Sequence, residues 1–255
     1  MLLRGKIAVI TGGASGIGLE LCRGFAREGA TVAVLDLQDP APALAKLREQ
    51  GLSAQGYVAD VTHFESVEDA VAEIMQKNGR VDVLVNNAGL YGGSAMERAP
   101  FEQITEAGWD RMMAVNVKGV WNTTRAVSPH MRRRKSGKIV NISSSSIFHG
   151  SQNMLHYVAS KGAVFSMSRA LARELGSDGI NVNTITPGLT MTKASEEMLE
   201  RAGLQGREKQ VASVSALGRV QYPADVVGTA IFLGSSLSDA ITGQTVNVDG
   251  GHVHW

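Results

Sequence analysis

A single cysteine, Cys22, stands in the 255 residues, so no disulfide can form within the chain and zinc-finger spacing is absent. It falls among apolar neighbours of the first predicted helix and reads as buried filler. His149 and His156 have no partner at metal-ligand spacing, and no metal site is expected. No window approaches eighteen uninterrupted apolar residues, which argues against a membrane span. No charged-then-apolar leader precedes the first strand, and a cytoplasmic enzyme is expected. Charge of one sign is lacking too: 25 basic residues against 24 acidic leave a formal net charge of +1. That gives no electrostatic footprint for nucleic acid. The only dense basic run, Arg132 to Lys135, closes a predicted helix, where cations complement the C-terminus, and reads as a solvated helix end. Internal repeats, linkers and composition breaks are also missing, so one domain over 1–255 is expected.

What is present is an ordinary globular composition, 44% hydrophobic and 19% charged. Strand-like apolar runs recur near 7–11, 32–36, 55–59, 81–86, 138–143, 180–186 and 245–248, with helical patterns between most of them. This alternation predicts an α/β fold, a Rossmann-like doubly wound parallel sheet with helices on both faces. Several runs are β-branched throughout rather than alternating, as strands covered on both faces should be. Open α/β sheets bind ligands beyond the C-terminal strand ends, which places 12–18, 87–95, 143–156 and 187–205 around one cleft.

Two constellations carry chemistry. The first strand runs into Gly12-Gly-Ala-Ser15-Gly16-Ile17-Gly18 and then a helix, the arrangement of a dinucleotide phosphate site. Gly12 permits the tight turn, Gly16 lets backbone approach a pyrophosphate, and Gly18 allows close helix-strand packing. The spacing differs from the common Gly-x-Gly-x-x-Gly. Asp36 ends the second strand, where a carboxylate would accept from adenine-ribose hydroxyls and repel a 2′-phosphate. The second constellation is Tyr157 and Lys161, one helical turn apart on one face. A phenol with a reference pKa of about 10 becomes a usable base when a fixed cation favours its phenolate.

Together these residues resemble the short-chain dehydrogenase/reductase family over nearly the whole chain. Thr-Gly-x-x-x-Gly-x-Gly at 11–18 looks like its cofactor motif, and Asp60-Val61 looks like its adenine-contacting pair. Asn86-Asn87-Ala88-Gly89 resembles the segment after its fourth strand. Asn116, Ser144, Tyr157 and Lys161 match its catalytic tetrad. Pro187-Gly188, with Thr190 and Thr192, resembles its nicotinamide clamp, followed by a lid over about 189–215. The resemblance implies reversible hydride transfer between NAD(H) and a secondary alcohol or ketone. Tyr157 would be the general acid/base, Ser144 a partner of the carbonyl oxygen, and Lys161 the group that lowers the tyrosine pKa and contacts the nicotinamide ribose. Asn116 would hold a water relay to Lys161.

Around the substrate, Ser146, His149, Met154 and Leu189 are candidate contacts with Ser144 and Tyr157, in loops that also carry Leu90, Tyr91, Met96, Ile147, Phe148 and Met191. No Arg or Lys cluster is evident there, which favours a small, largely apolar substrate. Gly92 to Pro100 reads as an extra loop. The alternatives are a 3-oxoacyl-thioester (acyl-carrier protein) reductase, which shares these motifs, and a dinucleotide-binding sensor or scaffold without turnover. Homotetramers are common in the family, and the tail ending at Trp255 is expected near a subunit boundary.

Overall fold

The structure, a computed structural model, describes residues 1–91 and 98–254. Its strands are β1 Ile7–Thr11, β2 Thr31–Asp36, β3 Ala54–Val58, β4 Val83–Asn86, β5 Gly137–Ile142, β6 Ile180–Pro187 and β7 Thr245–Val248. All pair in parallel, in the order β3-β2-β1-β4-β5-β6-β7. The chain leaves β1 in one direction toward β3 and returns to β1's other side as β4. The cleft opens where those paths diverge.

Successive side chains of β1 point to opposite faces, so the sheet seeds two cores. Val9 faces α3 (Phe64–Asn78), α5 (Gly119–Arg134) and α7 (Leu155–Leu175), packing with Val67, Ile74, Val127, Met131 and Leu175. Ala8 and Ile10 face α1 (Gly16–Arg27) and α10 (Pro223–Gly234), packing with Leu21, Phe25, Val226 and Leu233. Burying each such Val, Leu or Ile stabilises by about 1.5–3 kcal/mol, and that is what fixes the layers. Cys22 lies fully buried in the second core, and burial pushes its thiol well above the ordinary range. At Gly24 the two helices nearly touch, because a Cβ there would lie 2.2 Å from Val227 Cγ1.

The basic run is not simply solvated. Arg132 and Lys135 pair with Asp178, and Arg134 pairs with the buried Asp82. Asp82 also accepts from the Ile7 amide and from Arg80. Burial alone would raise its carboxyl, but the two guanidiniums and the amide hold it below the usual range.

A second buried polar network lies beneath the cleft. Asn86 of β4 donates to Asn141 of β5 at 2.8 Å and accepts from Thr123 of α5 at 2.6 Å. Asn141 donates to Ser168 of α7 at 2.8 Å. Buried amides left unpaired would be costly, so this chain fixes α5 and α7 against the strands. Among the described residues no helix is long and apolar enough to cross a membrane.

Candidate active site

A cleft of about 880 Å³ runs along the C-terminal strand ends. At one end it is walled by main chain. Gly12 and Gly16 have positive φ, +63° and +52°. A Cβ on Gly18 would lie 2.0 Å from Gly12 O, and one on Gly12 would lie 2.9 Å from Ala88 Cα. Asn87 locks this turn from across the switch point, donating through Nδ2 to Thr11 O at 3.0 Å and Gly12 O at 3.1 Å. Thr11 Oγ1 in turn accepts from the amides of Asn87 and Ala88. The first turn of α1 has no acidic residue, and Ser15 makes no side-chain cap. Its amide donors therefore stay open to an anion.

Asp36 accepts from Ala14 N at 2.9 Å and Gln38 N at 3.1 Å, so its carboxylate is anchored at the mouth of the cleft. Asp60 is committed more locally: it accepts from the Thr62 amide and hydroxyl and pairs with His63. Ile17, Val61, Pro187, Gly188, Thr190 and Thr192 line the same cleft. Thr192 caps α8 (Lys193–Arg201) through a reciprocal pair with Ser195, so its hydroxyl already has a structural task. Its methyl group approaches Gly16, where a Cβ would lie 3.6 Å away.

Midway along, α7 brings Tyr157 and Lys161 into the wall, both buried. Lys161 Nζ donates to Ile142 O at 3.0 Å and lies 5.9 Å from the centre of the Tyr157 ring. Asn116 sits in a π-helical turn, Ala114–Lys118, between α4 (Glu106–Met113) and α5. Such bulges re-aim a side chain without ending the helix. Its Oδ1 accepts from Leu90 N at 2.7 Å, and its Nδ2 donates to Ser160 Oγ at 3.0 Å. The bare Cα of Gly89 leaves the two groups room, since a Cβ there would lie 3.3 Å from both Asn116 Oδ1 and Lys161 Nζ. Of the four serines, Ser143 donates to Lys161 O and the Ser145 amide bonds Pro187 O, whereas Ser144 pairs with the tyrosine.

The electrostatics depart from the expectation. Burial raises the Tyr157 phenol well above its ordinary range, Tyr91 adds to that, and the Ser144 hydrogen bond only partly offsets it. Burial also pushes the Lys161 ammonium down, to about 8. The protein's own groups thus hold the phenol protonated at neutral pH rather than acidified. Desolvation outweighs a lysine whose nearest commitment is a backbone carbonyl.

The far end is built of side chains. A small cluster of Met112, Met154, Tyr157, Met198 and Leu199 joins α4, α7 and α8, with Leu90, Tyr91, Leu189 and Met191 against it. Tyr91 packs on Tyr157 at 5.2 Å between ring centres. Helices α8 and α9 (Arg207–Val214) fill most of the expected lid. Ser146 is buried with its hydroxyl unpaired, and His149 is exposed on the rim. His156 is buried and does not line the cleft. Met96 and most of the extra loop lie outside the described residues, as does Trp255.

One expectation is corrected outright: this end does carry cations. Arg98 and Arg207 line the cleft there, with His252 from the tail. They are far apart in sequence, so no local run announced them. Among the described residues, no cluster of His, Cys, Asp or Glu could hold a metal.

A doubly wound sheet with a glycine-turn cradle and a buried Tyr-Lys pair at its switch point defines a dinucleotide-linked oxidoreductase. The chain belongs to the short-chain dehydrogenase family, whose profile matches residues 6–203. It is 39% identical over 256 residues to the 3-oxoacyl-[acyl-carrier-protein] reductase of Thermotoga maritima, covering 99% of this chain and all of that one. Its backbone is similar to levodione reductase, with TM-score 0.91 at 28% identity and 98% of each chain covered. It is also similar to a gluconate 5-dehydrogenase from Burkholderia cenocepacia solved with NADP and tartrate. There the TM-score is 0.89 at 33% identity, covering 98% of this chain and 96% of the other. The family binds a nicotinamide dinucleotide. The cradle fits one, because added Cβ atoms at Gly12 and Gly18 would meet backbone and the helix amides lack any side-chain cap.

Proposed function

We propose that this protein is an NAD-dependent dehydrogenase that moves a hydride reversibly between NAD(H) and a small secondary alcohol or ketone. The observation that carries the reading is the convergence of Tyr157, Ser144 and Lys161 on the cleft that begins at the glycine turn. The dinucleotide supplies the hydride acceptor or donor. Tyr157 moves the substrate's hydroxyl proton, and Ser144 hydrogen-bonds the same oxygen. A phenol held protonated by burial is poised as the acid for carbonyl reduction. Alcohol oxidation needs the phenolate and is favoured at higher pH. Gly188 and Thr192 wall the nicotinamide end, and Asn116 holds the Leu90 turn against α7.

NAD is preferred over NADP because the Asp36 carboxylate stands where a 2′-phosphate would go, with Ser15, Leu37 and Gln38 beside it and no cation at those positions. The Burkholderia relative was solved with NADP, so the fold by itself does not exclude that cofactor. A 3-oxoacyl-thioester reductase is the second reading, favoured by the Thermotoga relative's name. A turnover-free sensor would have no use for the buried proton-transfer set. We place the enzyme in the cytoplasm as a homotetramer.

Absorbance of NADH and NADPH, followed with secondary alcohols, ketones and 3-oxoacyl thioesters, tests the reading. NAD(H) should exceed NADP(H) in kcat/KM, and Asp36→Ala should narrow the gap by about 10- to 100-fold, the scale of one charge-assisted contact. Equal use of both cofactors by the unmodified protein would reject the Asp36 argument, and turnover confined to thioesters would select the second reading.

A further inference from the structure

The guanidinium of Arg98 is held in the cleft wall by unusually weak partners. Its Nη2 donates to Gln152 O at 2.8 Å, while Nη1 faces Met154 Sδ at 3.0 Å and Met198 Sδ at 3.8 Å. Thioethers are poor acceptors, and a guanidinium has five N–H donors to satisfy. Among the described residues, no carboxylate lies within ion-pair distance of Arg98 or Arg207. Half-burial therefore costs Arg98 solvation without a counter-charge, and lowers its pKa. The backbone around it is fixed as well. Ala99 N bonds Asn153 O at 3.2 Å, and Asn153 takes a left-handed φ of 61° in the turn that presents the Gln152 carbonyl.

Arg207, exposed at the start of α9, faces the same corner and is close enough to Arg98 and His149 to repel both. His149 stacks on His252 at 4.9 Å. The carboxylate facing this corner is Asp249, and its oxygens are taken by the amides of Gly251, His252 and Val253. Among the described residues that line the cleft, the acids are Asp36 and Asp60, both at the adenosine end. The substrate end is thus a one-sign corner. Met154, which touches Arg98, packs in the same cluster as Tyr157.

We propose that this corner is an anion subsite and that the substrate is a hydroxy acid or the matching oxo acid. Its carboxylate lies against Arg98 with Arg207 outside it, and its carbinol carbon lies at Tyr157. The inference rests on the dehydrogenase reading and narrows its substrate class. In the oxidation, the carbinol C–H pair leaves as hydride to the nicotinamide and the O–H proton passes to the Tyr157 phenolate, which becomes the neutral phenol. The carboxylate is unchanged and serves only to orient. A forked guanidinium suits a planar carboxylate. One charge-assisted contact in a partly dry site is worth about 10- to 100-fold in selectivity.

The test compares short hydroxy acids with their methyl esters, alongside calorimetric titration with glutarate, a dicarboxylate that has no carbinol to oxidise. Free acids should exceed esters in kcat/KM by at least about tenfold, and added salt should shrink the ratio. Arg98→Met, which keeps an apolar stem among the methionines, should collapse that ratio toward one and weaken glutarate at least about tenfold. Arg98→Lys should restore part of both, and Arg207→Gln should cost only a few-fold. Should Arg98→Met fail to fold, the lysine and Arg207 variants still decide the matter.

Esters oxidised as well as acids, or glutarate binding indifferent to Arg98, would overturn the anion subsite while leaving the dehydrogenase reading intact. Glutarate binding that depends on Arg98, in a protein that oxidises nothing, would uphold the subsite and reject the dehydrogenase.

Discussion

At the adenosine end of the cleft the walls are main chain, and at the substrate end they are side chains. Gly12 and Gly18 form a surface that an added Cβ would spoil and Gly16 turns through a left-handed φ, the whole braced by Thr11 and Asn87 over a few ångströms. Backbone contacts read groups common to all dinucleotides, so this end depends little on side-chain identity. The other end is made of Tyr91, Arg98, Met154, Met198 and Arg207, drawn from separate segments of the chain. Methionines re-pack at low cost and arginines reach across gaps. Such a wall can be re-specified residue by residue without disturbing the sheet. The proposed proton-transfer pair, Tyr157 and Lys161, sits at the seam, where α7 lines the cleft.

The sharpest way to break this comparison is at the seam. Tyr157→Phe removes one hydroxyl and keeps the ring against Tyr91 and the methionine cluster. A positioned general acid or base contributes about 10²–10⁴-fold, so turnover should fall by at least that range. NADH affinity, measured by fluorescence titration, should change less than about threefold if the cradle is self-sufficient. Joint loss of turnover and NADH binding would show that the two ends are not separable.

What could be read from the sequence follows the same division. The seven strands fall within two residues of the expected runs, and β1, β2 and β4, covered on both faces, are the nearly continuous apolar segments among them. The glycine turn and the Tyr-x-x-x-Lys pair are contiguous, and local geometry dictates their meaning. Arg98 and Arg207 escaped because only the folded chain brings positions 109 apart in sequence to one corner. One clue was available: Arg98 lies within the Gly92 to Pro100 stretch that reads as an extra loop, and a loop at a strand's C-terminal end faces the cleft. Burial raises the Tyr157 phenol against the expected effect of its lysine neighbour, for a different reason. Spacing shows that a cation stands near, but it does not show that both groups are dry.

That dryness gives the second prediction. Lys161 has an ordinary pKa of 10.5, and burial brings it to about 8. Below pH 8 both folded and unfolded chains carry the charge, and the folded state bears the full burial cost. Between about pH 8 and 10.5 the unfolded chain keeps a proton that the folded one releases, so stability rises with pH. Lys161→Met should therefore abolish turnover yet stabilise the fold at pH 7 by about 1–3 kcal/mol. About half of that gain should be gone by pH 9.5. Urea denaturation of both proteins at pH 6, 7, 8.5 and 9.5 makes the comparison. A gain that does not vary with pH would point to packing instead, and a loss would show that the ammonium's bond to Ile142 O outweighs its desolvation.

The smallest effect is expected at the tail, where the substrate end meets the sheet's open edge. Strand β7 ends the sheet, and all four of its residues are only half-buried. An uncovered edge strand invites pairing or cover from another chain. Trp121 and Trp109 are also partly exposed, at 46% and 37%, on α5 and α4. Aromatic rings of this kind are enriched where proteins associate. Beyond β7 the chain turns back on its own subunit. Asp249 gathers three amides, and Ala216 and Leu217 donate to Gly251 O and Gly250 O, which sets His252 beside His149. Light scattering should return a four-chain mass, and a monomer mass at micromolar concentration would reject the assembly. Truncation after Gly251 removes His252 and two of the three amides that Asp249 gathers, and leaves the cradle. It should weaken assembly and shift KM for the alcohol substrate a few-fold, with NADH affinity unaltered. A loss of NADH binding on truncation would mean that the tail supports the main-chain end after all, and the division between the two ends would fail there first.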